Sequence, residues 1–144
     1  MTDPPTTRLP RLSEEARAFL NEPRFGVLAT INADGTPQQS TVWYELQGDE
    51  IMMNTKRGRL KDRNLRRDPR ASLCLEDEYR YLTVRGTVTL VDDQAVAQPD
   101  IERLAVRYDG RAKAEEQVRN QFSREERVTI RLWPEHIHEY GLRT

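Results

Sequence analysis

Residues 25–55 read FGVLATINADGTPQQSTVWYELQGDEIMMNT. The first eight of these are rich in Val, Ile and Thr, side chains that fit a pleated, half-buried surface. Asp34-Gly35 follows, a strong two-residue hairpin signal. QQSTVWYELQ (38–47) then alternates, with Val42, Tyr44 and Leu46 on one face and Thr41, Trp43 and Glu45 on the other. A second short turn, QGDE, leads into IMMNT (51–55). Three strands in a row form an antiparallel meander, and the rest of the chain is read around it.

On the N-terminal side, residues 1–12 hold three prolines and three threonines and read as an extended arm. Ser13 has the character of a helix N-cap, with Glu14 and Glu15 in the first turn, where acids suit the helix dipole. Ala16, Phe19 and Leu20 give helical spacing, and Pro23 closes that helix. On the C-terminal side, a short helix begins near Gly58, with Leu60, Asn64 and Leu65 on one face, and stops at Asp68-Pro69. ASLCLED (71–77) and YRYLTVRGTVTLVD (79–92) read as strands, and Gly86 in the second suggests a bulge or sharp bend. Pro99 opens a helix carrying Ile101, Leu104, Ala105 and Tyr108, and AKAEEQVRNQF (112–122) continues as helix. RVTIRLWPEHIHEY (127–140) is a last strand interrupted by Pro134. The expectation is one domain over residues 13–144, mainly β with peripheral helices, built as a small antiparallel barrel of six or so strands.

Composition narrows the function classes. A chain of 144 residues has the size of one domain, and charged residues make up 33% of it. Only 36% is hydrophobic, which leaves surface for a second copy to cover. No apolar run approaches the ~18 residues of a membrane helix, the first residues have no signal-peptide core, and a lone cysteine, Cys74, has no internal disulfide partner. These features suggest a cytoplasmic protein with no membrane or nucleic-acid partner. Cys74, between Leu73 and Leu75, reads as a small buried hydrophobe. No GxSxG or Walker A motif is present.

The charge is unevenly spread. From Lys56 to Arg70 there are eight Lys or Arg and two Asp, a local +6 in a chain of net charge −1. The segment is therefore either an anion site or a solvated helix face. Arg59 and Lys61 fall in the first helical turn, where cations disfavour the helix and free N–H groups favour an anion. A phosphate or carboxylate there would absorb both effects. Arg63, Arg66 and Arg67 come later, where cations are ordinary. The segment has no aromatic residue, which disfavours nucleic-acid binding. His136 and His138 share one face of the last strand; two ligands without a cysteine pair are too few for zinc, so no metal site is expected. They read as surface or dimer-contact histidines, with a substrate contact at His138 as the alternative. Trp43, Tyr79 and Tyr81 read as core or dimer packing, or as stacking partners for a flat ring.

FGVLATINADGTPQQSTVWY, MMNTKRGRLKDRNLRRDPRASL and YLTVRGTVTLVDD together resemble the pyridoxamine-phosphate-oxidase-like split-barrel family, from about Leu12 to Tyr140. More narrowly they resemble its branch that uses the deazaflavin coenzyme F420. The resemblance implies a six-stranded antiparallel split β-barrel, a homodimer, and a cofactor in each of two clefts at the subunit interface. It implies that Thr55, Lys56, Arg57, Arg59 and Lys61 grip the cofactor's phosphate end. Gln39, Ser40, Thr41, Val42 and Trp43 would line the ring. Tyr79, Arg80 and the last strand near His138 would close the cleft from the partner subunit. FMN oxidases of the family usually carry an arginine where this chain has PQQS, and a serine-arginine-lysine triplet where it has Arg59-Leu60-Lys61. Both departures favour F420 over FMN. The implied activity is hydride transfer from reduced F420 to a small conjugated or unsaturated acceptor. The alternatives are an FMN-dependent oxidoreductase or a non-catalytic binder of a flavin, deazaflavin or haem-like ligand.

Overall fold

The computed structural model describes residues 11–143. The start of the expected N-terminal arm, residues 1–10, lies outside the described residues. The chain order is α1 (Glu14–Asn21), β1 (Gly26–Ile31), β2 (Pro37–Val42), β3 (Glu45–Gln47), β4 (Glu50–Lys56), α2 (Leu60–Arg67), β5 (Arg70–Asp77), β6 (Arg80–Val91), α3 (Gln94–Asp109), α4 (Arg111–Asn120), a 3-10 turn (Phe122–Arg124) and β7 (Arg127–Tyr140). The fold is mainly antiparallel β with peripheral helices, as expected.

The strand count is seven among the described residues, not six, because the expected second strand breaks at Trp43-Tyr44. Its halves lie at opposite ends of the sheet, whose order is β2-β1-β5-β6-β7-β4-β3. Val42 and Glu45 are three residues apart, so their Cα atoms are within about 11 Å. Flat, a seven-stranded sheet would hold its edges about 29 Å apart. The sheet must therefore roll until its edges meet, and the barrel is closed by covalent chain rather than by a ladder of hydrogen bonds. The corner is pinned by Tyr108 of α3, whose hydroxyl donates to the Arg24 and Tyr44 carbonyls (2.8 and 3.2 Å) and accepts from the Tyr44 N–H (3.1 Å). Its ring stacks on Trp43 at 5.2 Å. Tyr44 is fully buried and donates to the Glu22 carbonyl at 2.9 Å; burial pushes its phenol pKa up to about 12.

Inward residues of every strand fill the barrel, among them Leu28, Ile51, Met53, Leu73, Leu75, Leu82, Val84, Ile130 and Leu132. Helix α1 adds Ala16, Phe19 and Leu20 to that core. It is capped by Ser13, whose Oγ accepts from the Ala16 N–H (3.0 Å) and donates to Glu139 of β7 (2.7 Å). A second cluster forms outside the barrel, where Met52 of β4 meets Ile101, Leu104 and Ala105 of α3, Ala114 of α4 and Phe122. Covered on both faces, β4 reads as an apolar run rather than an alternation.

Gly86 marks a bulge, as expected. A Cβ there would lie 1.9 Å from the Trp133 carbonyl oxygen. The register passes from Arg85↔His136 to Gly86↔Pro134, leaving Glu135 as the extra residue. Pro134 does not interrupt β7, because a bulge tolerates a missing ladder N–H. The extra residue inverts the facing of all that follows. Leu132 and Pro134 point inward, whereas His136, His138 and Tyr140 point outward. Three other expectations shift. Cys74 is half-buried on the outer face, because it alternates with the inward Leu73 and Leu75. Pro99 lies inside α3, which starts at Gln94 under an Asp93 cap; Pro99 and Ala95, whose carbonyl it leaves without an amide partner, are both exposed to water. Helix α2 starts at Leu60 rather than near Gly58, whose φ of +91° is incompatible with a right-handed helix.

Candidate functional site

A cavity of about 190 Å³ opens where the two edges of the rolled sheet meet. It is lined by Thr41 and Val42 of β2 and Trp43 just after it, by Asn54, Thr55 and Lys56 from the end of β4, by Arg59 at the start of α2, by Ile101 and Leu104 of α3, and by Gln121, Phe122 and Arg127. The corner at Trp43-Tyr44 brings β2 here, and pairing of β4 with β7 brings Lys56 opposite Arg127.

The cavity is a concentration of incompletely balanced cations. Lys61 is half-buried and has no hydrogen-bond or ion-pair partner among the described residues, and burial together with Arg59 and Arg127 lowers its pKa from the ordinary 10.5. Arg59 caps α2 without a side-chain cap bond, leaving the helix's first N–H groups open. Arg127 is 6% exposed, and burial pushes its pKa down. Among the described residues, Glu125 is the only carboxylate paired with this group, at 2.8 Å from Arg127 and 3.7 Å from Lys56. Among the described residues, four cations face one carboxylate, a local charge of about +3; Lys61 and Arg127 are desolvated while Lys56 and Arg59 are exposed to solvent, and the group favours an anion.

Beyond Lys61 the picture changes. Asp62 is buried, accepting from the Gly58 N–H (2.8 Å) and from Arg66 Nε (3.0 Å). Arg66 also forks onto Asp92. Arg67 donates to the Ile31 carbonyl at 2.6 Å, and Arg70 pairs with Asp68 at 2.7 Å. Arg57 turns away from the cavity to Asp92 and Glu126, each at 3.3 Å.

Of the residues singled out in the sequence, Thr41, Val42, Trp43, Thr55, Lys56 and Arg59 line this cavity. Lys61 stands next to it, close enough to feel Arg59 and Arg127. Ser40 sits one residue away on β2, with a buried Oγ that has no hydrogen-bond partner. Gln39 lies exposed on the outer side of β2. Tyr79, Arg80 and His138 do not line the cavity. Tyr79 is 86% exposed at the β5–β6 turn, and Arg80 pairs with Asp77 and with Glu22 (3.7 Å). On the outer sheet face His138 Nε2 lies 3.0 Å from the Tyr81 hydroxyl, and Tyr81 stacks on Tyr140 at 5.3 Å. The sequence reading missed Arg127, Asn54, Gln121 and Phe122. Only a positive charge at the head of an apolar strand could have flagged Arg127.

Larger concavities lie elsewhere. A groove of about 350 Å³ at the bulge is lined by apolar Ala29, Ile31, Pro37 and Ala71 together with Arg70, Arg85, Glu135 and His136. Another, of about 570 Å³, has its Arg103 and Glu45 already paired at 2.9 Å. Among the described residues, no group of three or more His, Cys, Asp or Glu could hold a metal ion, and no helix is long and apolar enough to cross a membrane.

The profile of the family described as pyridoxamine 5'-phosphate oxidase matches residues 12–140. The chain belongs to that family of flavin-binding oxidoreductases. Among solved structures it is similar to a conserved hypothetical protein from Mycobacterium tuberculosis, with a TM-score of 0.77 and 29% identity over 96% of this chain and 91% of that one. It is similar to an F420 reductase, with a TM-score of 0.68 and 31% identity over 85% of this chain and 94% of the other. The fold is shared with a haem storage protein of Vibrio cholerae, at a TM-score of 0.68 and 22% identity over 91% and 96% of the two chains.

Proposed function

We propose that this protein is an F420-dependent reductase acting on a small conjugated or unsaturated acceptor. The observation that carries the reading is Lys61, a half-buried cation without a counter-charge beside Arg59, Lys56 and Arg127. A phosphate that continues into a carboxylate-rich tail suits such a group better than a neutral ligand does. The 31% identity to an F420 reductase supports the deazaflavin, as does Pro37-Gln38-Gln39 in place of an arginine at the start of β2.

Lys56, Arg59 and Lys61, with the open N–H groups of α2, would hold the phosphate end, and Arg63 is free to meet a trailing anionic tail. Thr41, Val42 and Trp43 would flank the ring, and the partnerless Ser40 Oγ offers it a hydrogen bond. When bound, the reduced deazaflavin supplies the hydride, and the protein's part is to bind, orient and exclude water. Apolar Val42, Ile101, Leu104 and Phe122 keep one wall of the cavity dry.

A homodimer is part of this reading. The cavity is smaller than the ~300–1,000 Å³ of most small-molecule sites, so a further wall is needed. The outer sheet face, with Val27, Cys74, Tyr81, His138 and Tyr140, is not covered by a helix of this chain and could supply it from a second copy.

The test is a parallel titration of the purified protein with F420 and with FMN, followed by fluorescence. Micromolar or tighter F420 binding with weak FMN binding supports the proposal. A preference for FMN moves the chain to flavin chemistry. Tight F420 binding with no turnover across a broad acceptor panel makes it a carrier.

A further inference from the structure

We propose that Arg127 is itself an anion-contacting residue of this cleft, aimed by Asn54 and, through Thr129, by Asp100 on helix α3. The inference rests on the reading of the cleft as the seat of a phosphate group and adds to it a residue from the last strand.

Arg127 is the first residue of β7 and is almost fully buried, yet only part of its guanidinium is engaged. Nε donates to Asn54 Oδ1 at 3.0 Å, and Nη1 donates to Glu125 Oε1 at 2.8 Å. Nη2 has no hydrogen-bond partner among the described residues, in a side chain that lines the cavity. A guanidinium has five N–H donors in a rigid fork, so the unused edge is left ready for a planar or tetrahedral oxyanion.

Its direction is determined by a chain of bonds running back into the fold. Asn54 Nδ2 donates to the Ala97 carbonyl at 3.0 Å and to Thr129 Oγ1 at 3.4 Å. A carbonyl can only accept, so the amide nitrogen of Asn54 faces α3 and its oxygen faces Arg127. Thr129 Oγ1 in turn donates to the buried carboxylate of Asp100 at 2.7 Å. Asp100, Thr129 and Asn54 thus tie α3, β7 and β4 together behind the guanidinium. Among the described residues the only carboxylate on Arg127 is Glu125, which Lys56 shares. A buried cation held by neutral acceptors and a shared acid is incompletely compensated, and a bound anion would complete it.

The experiment titrates wild type, Arg127→Gln, Arg127→Lys, Asn54→Ala, the Arg127→Gln/Asn54→Ala double variant and Lys61→Ala. Two probes are used, F420 and inorganic pyrophosphate, with thermal unfolding run in parallel. Arg127→Gln should weaken both probes roughly tenfold or more. Arg127→Lys keeps the charge but not the fork and should recover part of the loss. Asn54→Ala should weaken binding less, and should add nothing in the double variant, because it acts through Arg127. Wild-type affinity for both probes in Arg127→Gln and Arg127→Lys overturns the inference, while a loss in Lys61→Ala would leave the proposed function standing. Pyrophosphate binding that depends on Arg127, in a protein that binds no F420 or FMN, overturns the cofactor and keeps the residue. Binding of neither probe by wild type overturns both.

Discussion

The basic segment from Lys56 to Arg70 divides into two parts that look alike in sequence and differ in physics. In the back part, from Asp62 on, Arg66 is shared by Asp62 and Asp92, Arg67 holds a backbone carbonyl and Arg70 holds Asp68, with Arg63 as the exception that has no side-chain partner among the described residues. In the front part, Arg57 has Asp92 and Glu126, but Arg59 and Lys61 have no acid partner among the described residues, and Lys56 shares its acid with Arg127. Cations of the first kind serve the fold and are satisfied without a ligand. Those of the second kind are left without a full complement of acids among the described residues. Net charge does not separate the two; the count of acids within reach does.

Substitutions should therefore dissociate stability from affinity. The largest effect is expected at Asp62, which is 1% exposed and holds both the Gly58 N–H and Arg66. Asp62→Ala leaves a buried donor and a cation without their partner and should cost about 3 kcal/mol in urea unfolding. A loss below about 1 kcal/mol, the range of an exposed ion pair, would erase the distinction between the two parts.

Lys61→Ala is the mirror case. It should weaken F420 binding by about 1.5–3 kcal/mol, the range for a hydrogen bond to a charged group, with no loss of thermal stability in the ligand-free protein. A lowered melting point with unchanged affinity would place Lys61 in the fold and remove it from the cleft.

Much of this was legible in the sequence. The hairpin of β1 and β2 was announced by Asp34-Gly35, and Gly86 marked the bulge between β6 and β7, but the expected three-strand meander is divided between the two ends of the sheet. The break at Trp43-Tyr44 was not legible, because alternation continues across it; what separates β2 from β3 is that their hydrogen-bond partners, β1 and β4, lie at opposite ends of the sheet order. In the candidate site, Lys56, Arg59 and Lys61 stood out in the sequence because they cluster along the chain. Arg127 could not, because the β4–β7 register brings it from more than sixty residues away to stand opposite Lys56. Asp92 and Glu126, the acids that neutralise Arg57, also lie far along the chain, at 35 and 69 residues. That is why Arg57 read as a site residue and the structure turns it outward.

Arg66→Ala should fall between the two extremes in kind and below both in size. Arg66 is partly exposed, and solvent screens its pairs with Asp62 and Asp92. A loss of about 1 kcal/mol in stability, with F420 affinity within twofold of wild type, is the expected result from paired unfolding and titration curves. A tenfold loss of affinity would show that the back part reaches the ligand.

The smallest effect is a pH dependence, and its sign follows from Lys61. Burial first, then Arg59 and Arg127, hold its pKa below the ordinary lysine value in the ligand-free protein. Lys56 lines the same cavity, and among the described residues Glu125 is the one carboxylate paired with these cations. An anion bound there favours the charged amine and raises its pKa, so binding takes up a proton wherever the pH lies between the free and bound values. Affinity should thus be flat at low pH and fall as pH rises through the depressed free-state pKa, by no more than about tenfold per pH unit across the interval between the free and bound pKa values. Lys61→Arg should remove the fall, since a guanidinium does not deprotonate in this range. For unfolding, the depressed pKa acts with the opposite sign. The unfolded state binds the proton more tightly, so the ligand-free protein gains stability as pH rises between the folded and unfolded pKa values. Loss of affinity together with gain of ligand-free stability over one pH window, both absent in Lys61→Arg, is the signature of a cation held uncompensated for a ligand. A profile that Lys61→Arg leaves unchanged would assign the titration to another group.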